Sequence, residues 1–284
     1  MRENYKKVNM SNFGVFIYCW GRPEFCNTYK NLKSAGYTGR IVLLVDNLDK
    51  TKEEYIARYG GENVYVFNKF FAAKKSDPMN NFGKLESTLY VENTMFDAAK
   101  ELGWDYFCAM CDDYYYFGHR GVKGAKKTNN LDKVFECYVE YLINSPVKCL
   151  AFSQGGDNFG GFDETKLYKR KVMNSFICKT SEPFKFYGSM NDDVNMYVQN
   201  GIRGDIFLTT MFFQLDQPDT QSTGGGLENL YLTYGTYVKS FYTVMLSPSS
   251  VKVALMGTKE ARLHHKINYN NTVPCIIDEK YKKI

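Results

Sequence analysis

Strand and helix signals alternate from residue 13 to residue 110, and this alternation limits the fold more than any other feature. The apolar run FGVFIYC (13–19) is broken by GRP. PEFCNTYKNLKSA (23–35) opens with Pro23 at a helix-start position and stops before Gly36. RIVLLVD (40–46) reads as a second buried strand, TKEEYIARYG (51–60) as a helix with a glycine stop, and NVYVF (63–67) as a third strand. KLESTLYVENTMFDAAKELG (84–103) sets Leu85, Leu89, Phe96, Ala99 and Leu102 at helical spacing, and WDYFCAM (104–110) supplies a fourth strand. Buried strands separated by helices predict a parallel sheet covered by helices.

The second half is less regular. KVFECYVEYLIN (133–144) reads as a helix and KCLAFSQ (148–154) as a strand. Glycine-rich turns stand at GGDNFGG (155–161) and TGGGL (223–227), and strand-like runs at 172–178, 205–213, 236–245 and 250–255. No repeat or linker-like shift in composition divides the chain. The expectation is one domain over 1–284, in which 1–117 and 118–284 form two halves.

With 284 residues and 44% hydrophobic content, a sizeable core is available. No window approaches the roughly 18 consecutive apolar residues of a membrane span, and the polar start MRENYKKVNM is not a secretory signal. A soluble, cytoplasmic protein without a membrane partner is expected. The eight cysteines show no framework spacing. Cys108 and Cys111 form a lone C-x-x-C whose members point to opposite faces of a strand, so reduced structural thiols are favoured over a metal or redox role. A net charge of +5 is mildly basic, short of a dedicated nucleic-acid binder. Lysines cluster at 74–75, in KGAKK (123–127) and in KLYKRK (166–171), either as a solvated face or as a surface that attracts phosphates.

The candidate chemistry lies where strands end. In open α/β sheets ligands bind beyond the carboxyl ends of the strands, and Arg22, Asp46, Asp112 and Asp113 all fall there. Two adjacent carboxylates repel unless a cation is near. Oxygen donors suit Mg²⁺ or Mn²⁺, although an aspartate turn explains the pair equally simply. Asn191, Asp192 and Asp193 precede a helical pattern, as caps or as an acceptor-side base. Only three histidines occur, and two of them, His264 and His265, adjoin Arg262 and Lys266, which suits a metal ligand or a diphosphate contact. No phosphate-cradling loop, dinucleotide fingerprint or nucleophile elbow is present.

With these residues assembled, the chain resembles glycosyltransferases of the GT-A fold. The matching stretches are the 16–55 segment from FIYCWGRPEF to KEEY, then CDDYYYF, QGGDNFGG, RKVMNSF, NDDVN, GTYVKSFY and RLHHKI. In this order they are similar to the bacteriophage branch called TET-associated glycosyltransferases. The resemblance implies an α/β fold: a GT-A-like single domain, with a Rossmann-like, mostly parallel sheet in a nucleotide-sugar-binding N-terminal half and a mixed α+β acceptor-side C-terminal half. It implies a hexosyltransferase that moves sugar from a nucleotide sugar, a UDP-sugar, to a hydroxymethylated pyrimidine in DNA, aided by Mn²⁺ or Mg²⁺. By position, Arg22, Asp46 and Asn47 would line the nucleotide pocket. Asp113 would be the main metal ligand with Asp112 its partner, and His264 or His265 would meet metal or diphosphate near Lys266. Asp193, beside Asp192, would be the acceptor-side carboxylate and base. Two positions depart from the pattern: Cys111 stands where a first acid is expected, and Glu92-Asn93 where Arg-Asn is expected. The rival readings are transfer to a protein or surface glycan, and a non-catalytic nucleic-acid-binding module.

Overall fold

The computed structural model describes residues 6–80, 83–121, 124–154, 172, 175–218, 228–235, 237–256 and 262–272. The glycine-rich segments 155–161 and 223–227 and the lysine run 166–171 lie outside them. The strands are β1 (Phe13–Tyr18), β2 (Arg40–Asp46), β3 (Val64–Phe67), β4 (Tyr106–Cys111), β5 (Tyr116–Gly121), β6 (Gly124–Lys127), β7 (Val147–Gln154), β8 (Ser175–Lys179), β9 (Ile206–Asp216), β10 (Val251–Met256) and β11 (Arg262–Ile267). The helices are α1 (Asn27–Ser34), α2 (Lys52–Tyr59), α3 (Lys69–Lys75), α4 (Leu89–Glu92), α5 (Met95–Glu101), α6 (Leu131–Ile143), α7 (Asp192–Ile202), α8 (Glu228–Tyr234) and α9 (Val238–Leu246).

Among the described residues, β1 to β9 form one sheet in the order β3-β2-β1-β4-β8-β7-β9-β5-β6. The first four are parallel, as the sequence predicts. Beyond β4 the sheet is mixed: β8 is antiparallel to both β4 and β7, β9 is parallel to β7, and β5 and β6 close the far edge antiparallel. All six residues of β1 are buried because helices cover both faces. Alternation divides the core. Phe16, Tyr18, Val42 and Leu44 point into one cluster with residues of α4, α5 and α7. Val15, Ile17, Leu43 and Val45 point into the other, with residues of α1, α2 and α6.

The chain steps outward from β1 to β2 to β3, then returns through α3, α4 and α5 to place β4 on the other side of β1. The switch point therefore lies between β1 and β4, whose last residues, Tyr18 and Cys111, are register partners. The loops leaving these two strands must diverge, and a crevice opens between them.

Two elements differ from the sequence reading. The 84–103 segment breaks into α4 and α5, because Asn93 in its middle is fastened from outside the helix: Asn93 Nδ2 donates to Phe186 O at 3.1 Å and Phe186 N donates to Asn93 Oδ1 at 2.9 Å. The 236–245 run, read as a strand, is largely helix α9, in which Ser240, Tyr242 and Thr243 pack inward while Phe241 and Met245 face out. Beside the large sheet, β10 and β11 pair as a separate antiparallel ribbon.

Candidate active site

The sharp turn after β1 is made by Gly21, whose φ of 68° suits glycine, and its N–H donates to Asp49 Oδ2 at 2.8 Å. This anchor directs Arg22 across the switch point to the residues that follow β4. Its Nε donates to Asp112 Oδ2 at 2.9 Å and its Nη2 to Asp112 Oδ1 at 2.6 Å, a two-pronged ion pair between residues far apart in the chain. Burial disfavours the Arg22 charge, but the bonds and charge of Asp112 more than compensate and raise its pKa. Burial outweighs Arg22 at Asp112, whose pKa lies above the ordinary carboxylate value.

Asp113 has a different environment. It lines a cavity of about 410 Å³ together with Gly21, Arg22, Glu24, Phe25, Asn27 and Pro218. Its Oδ1 is buried without a hydrogen-bond partner. Burial, and then the neighbouring charge of Asp112, raise its pKa. Of the cavity-lining residues, the sequence reading names Arg22 and Asp113. Gly21, Glu24, Phe25, Asn27 and Pro218 were not named as site residues: Gly21 falls in GRP, read as a strand break, and Glu24, Phe25 and Asn27 in the stretch 23–35, read as a helix.

Asp46 and Asn47 lie at the end of β2, outside the lining of that cavity. Asp46 is buried and pairs with the equally buried Lys69, Nζ to Oδ2 at 2.9 Å, and its Oδ1 accepts from Leu48 N. Asn47 Oδ1 accepts from Lys69 N at 2.8 Å. The ammonium of Lys69 lies 4.3 Å from the ring centroid of Trp20, an indole that is 43% exposed at the end of β1.

Asp192 and Asp193 sit at the start of α7. Asn191 takes the N-cap position in the left-handed region, φ 61°, with no side-chain cap bond. Its Nδ2 instead donates to Thr243 Oγ1 at 2.7 Å and lies 3.1 Å from His265 Nδ1, fastening α7 to α9 and β11. Asp192 is buried. It accepts the Thr88 hydroxyl and the Asp193 N–H, and burial, then the Asp193 charge, push its pKa to about 6. Asp193 is half-buried and accepts from Val194 N at 2.7 Å. Glu92 is a further buried acid here, with Oε2 unpartnered, and burial followed by the charges of Asp192 and Asp193 raises its pKa strongly. Burial raises the pKa of the Cys111 thiol, and the charges of Asp113, Asp112, Glu92 and Asp192 raise it further, so both acidic groups act on this one residue.

In the ribbon, His264 and His265 rings lie 4.2 Å apart. His265 is buried, whereas Lys266, pointing to the opposite face, is exposed. Among the described residues no three His, Cys, Asp or Glu gather as a metal site, so Asp112, Asp113 and His264 do not form one by themselves. A divalent cation still fits Asp113. Ions of this type are held by one or two carboxylates together with substrate phosphates rather than by an all-protein cage, and Asp113 presents a buried oxygen with no other partner.

The model of the TET-Associated Glycosyltransferase family matches residues 13–226, which include both acidic groups. The chain belongs to this family. It is a glycosyltransferase, and the mixed α/β sheet is the architecture the family resemblance implies. Among curated proteins none matches the sequence. Among solved structures, glucosyl-3-phosphoglycerate synthase from Mycobacterium tuberculosis with Mn²⁺, uridine diphosphate and phosphoglyceric acid aligns over 93% of this chain and 88% of its own, at 10% identity and TM-score 0.44. The same enzyme with Mn²⁺ and uridine-diphosphate-glucose aligns over 90% and 86%, at 7% identity and TM-score 0.46. Residues 1–349 of S. aureus TarS align over 72% of this chain and 60% of that one, at 9% identity and TM-score 0.41. In this TET-associated glycosyltransferase no helix among the described residues is long and apolar enough to cross a membrane.

Proposed function

We propose that this glycosyltransferase moves a sugar from a nucleotide sugar, a UDP-sugar, to the hydroxymethyl group of a modified pyrimidine in bacteriophage DNA, with 1–284 acting as one unit in the host cytoplasm. The observation that carries the reading is Asp113: a buried carboxylate oxygen without a partner, in a cavity at the switch point of the sheet, with Arg22 beside it. Asp113 would hold Mn²⁺ or Mg²⁺ together with the donor's diphosphate, and His264 or His265 would complete the shell. When bound, the cation supplies positive charge for the diphosphate that leaves with the sugar–phosphate electron pair.

The rest is done by side chains. Asp112 fixes the Arg22 guanidinium at the cavity edge, where it meets phosphate oxygens without having to reorganise. Asp46 and Asn47 hold the β2–α3 corner, and with it Lys69 under Trp20, as the wall for the nucleoside. Asp193 takes the proton of the attacking hydroxyl in an inverting reaction, while Asp192 is held by Thr88 and by the first turn of α7. A pyrimidine within a duplex must leave the stack to reach these groups.

The test is to incubate the protein with UDP-sugars, Mn²⁺ and duplex DNA containing hydroxymethylcytosine or hydroxymethyluracil, then weigh the digested nucleosides. A nucleoside heavier by one hexose is expected, and Asp113→Asn should abolish it. Donor consumption with a protein or glycan acceptor, and none with any modified DNA, would refute the acceptor assignment and leave the glycosyltransferase intact.

A further inference from the structure

The charge of the chain is unevenly placed. Between Glu228 and Asp278 there are five Lys or Arg residues, two His and one acid, Glu260, so this stretch carries +4 of the net +5. The described parts of the ribbon and the helix beneath it, 237–256 and 262–272, contain no Asp or Glu.

The ribbon arranges these cations by alternation. In the antiparallel register Lys252 is opposite Lys266, and Ala254 is opposite His264. Lys252 and Lys266 are both exposed and His264 is half-buried. Their face is opposite to the one carrying Val251 and the buried His265. Like charges directly across a strand pair destabilise it, so the sequence accepts a local cost that an anion would remove. Another lysine pair, Lys126 and Lys127, needs no such account: it lies on β6, the last strand of the large sheet, where lysines discourage edge-to-edge pairing. The basic face is also tied to the acceptor carboxylates. His265 lies 3.1 Å from Asn191, the residue before Asp192 and Asp193, and Ser240 of α9 donates to Leu263 O at 3.3 Å.

The geometry points to the outer face of the β10–β11 ribbon, with Lys252 opposite Lys266, as the surface that grips the sugar–phosphate backbone of the DNA acceptor. This rests on the DNA-acceptor reading above. The ribbon lies along a phosphate strand while Asn191, bonded to its inner face, keeps Asp192 and Asp193 in step with it. The contact is electrostatic and carries no sequence information.

The experiment measures binding of the full chain to fluorescently labelled hydroxymethylated duplex by anisotropy, across a salt series. Each phosphate contact contributes roughly −0.9 to the slope of log affinity against log salt. Lys252→Glu should make the slope shallower by about 1 and the double variant Lys252→Glu/Lys266→Glu by about 2. Lys252→Glu, which touches no donor group, should keep the thermal shift given by uridine diphosphate with Mn²⁺, which shows that it is folded. Lys252→Gln, expected to flatten the slope by the same amount as Lys252→Glu, is the second variant should charge reversal impair folding. A slope unchanged in the ribbon variants overturns the proposal, as does one flattened only by Lys126→Glu/Lys127→Glu. Wild-type protein that transfers sugar to a non-DNA acceptor and binds DNA with no salt dependence overturns the acceptor reading itself.

Discussion

Asp112 and Asp113 are neighbours in sequence with different physical roles. Asp112 gives both oxygens to Arg22, and its side chain is 5% exposed against 25% for the arginine. Breaking a wholly buried pair costs about 3–5 kcal/mol; here water reaches Arg22, so Asp112→Asn should cost about 2 kcal/mol in urea denaturation. Asp113→Asn should act in the opposite sense. Asp113 is half-buried, its Oδ1 is buried without a hydrogen-bond partner, and its pKa is raised by burial and by Asp112; unlike Asp112→Asn, neutralising it strips no arginine of a two-pronged partner, so at neutral pH stability should be equal or higher while transfer is lost. Such opposition between stability and activity marks a functional carboxylate rather than a turn residue. Asp192 gives a pH signature. Its pKa of about 6 in the folded protein is above the unfolded value near 4. The folded state keeps a proton that the unfolded chain has released, so stability is fully present below about pH 4 and falls as pH rises through 6. Asp192→Asn, which still accepts the Thr88 hydroxyl, should remove this slope. At pH 7 it should be more stable than wild type by on the order of 2–3 kcal/mol, and at pH 4 equal to it, as read by denaturation at the two pH values.

At the scale of elements, the docking of the C-terminal ribbon on α7 depends on one missing side chain. A Cβ on Gly201 would come within 2.2 Å of Thr272 O, a backbone atom that cannot rotate away. Alanine favours helix over glycine by about 1 kcal/mol, but displacing the 269–272 turn costs about 1–3 kcal/mol. Gly201→Ala should therefore lower stability by up to about 2 kcal/mol and loosen His265 from Asn191, seen as faster amide exchange in β11. Which elements could be read from the sequence follows the same physics. β1, β2, β3 and β4 were legible because each is a short apolar run between helix signals, so local pattern and burial agree. α9 was not: TYVKSFYTVM is rich in β-branched and aromatic residues, and its helical form is decided by the packing of Ser240, Tyr242 and Thr243 against other elements. The β5–β6 hairpin also escaped notice, because its polar, glycine-containing strands have no apolar alternation of their own. For the site, strand-end carboxylates were legible through the rule that ligands gather there. The Arg22–Asp112 pairing was not, since nothing local joins residues on β1 and β4 loops until the switch point brings them together. Nor was the engagement of Asp46 by Lys69, which depends on where α3 begins.

For the whole molecule, the decisive question is how donor and cation depend on one another. Asp113 offers one carboxylate, and the described residues hold no gathered group of three or more ligands, so cation alone should bind weakly and shift the melting temperature little. Uridine diphosphate alone brings two phosphates to a region whose carboxylates, Asp112, Asp113 and the cavity-lining Glu24, repel it, and the single charge of Arg22, already shared with Asp112, does not offset all three. Together each supplies what the other lacks: the phosphates complete the cation's oxygen shell, and the cation cancels the repulsion. Binding confined to the folded state stabilises by about 2.7 kcal/mol at a hundredfold excess over Kd, which for a chain of this size is a rise of roughly 5–10 °C in Tm. The expected result is a shift with Mn²⁺ plus uridine diphosphate well above the sum of the separate shifts, absent in Asp113→Asn and reversed by chelation. Equal shifts with and without cation would mean that Arg22 and its neighbours hold the diphosphate unaided. Asp113 would then have to be removing a proton or orienting the sugar, which the pH dependence of transfer would reveal.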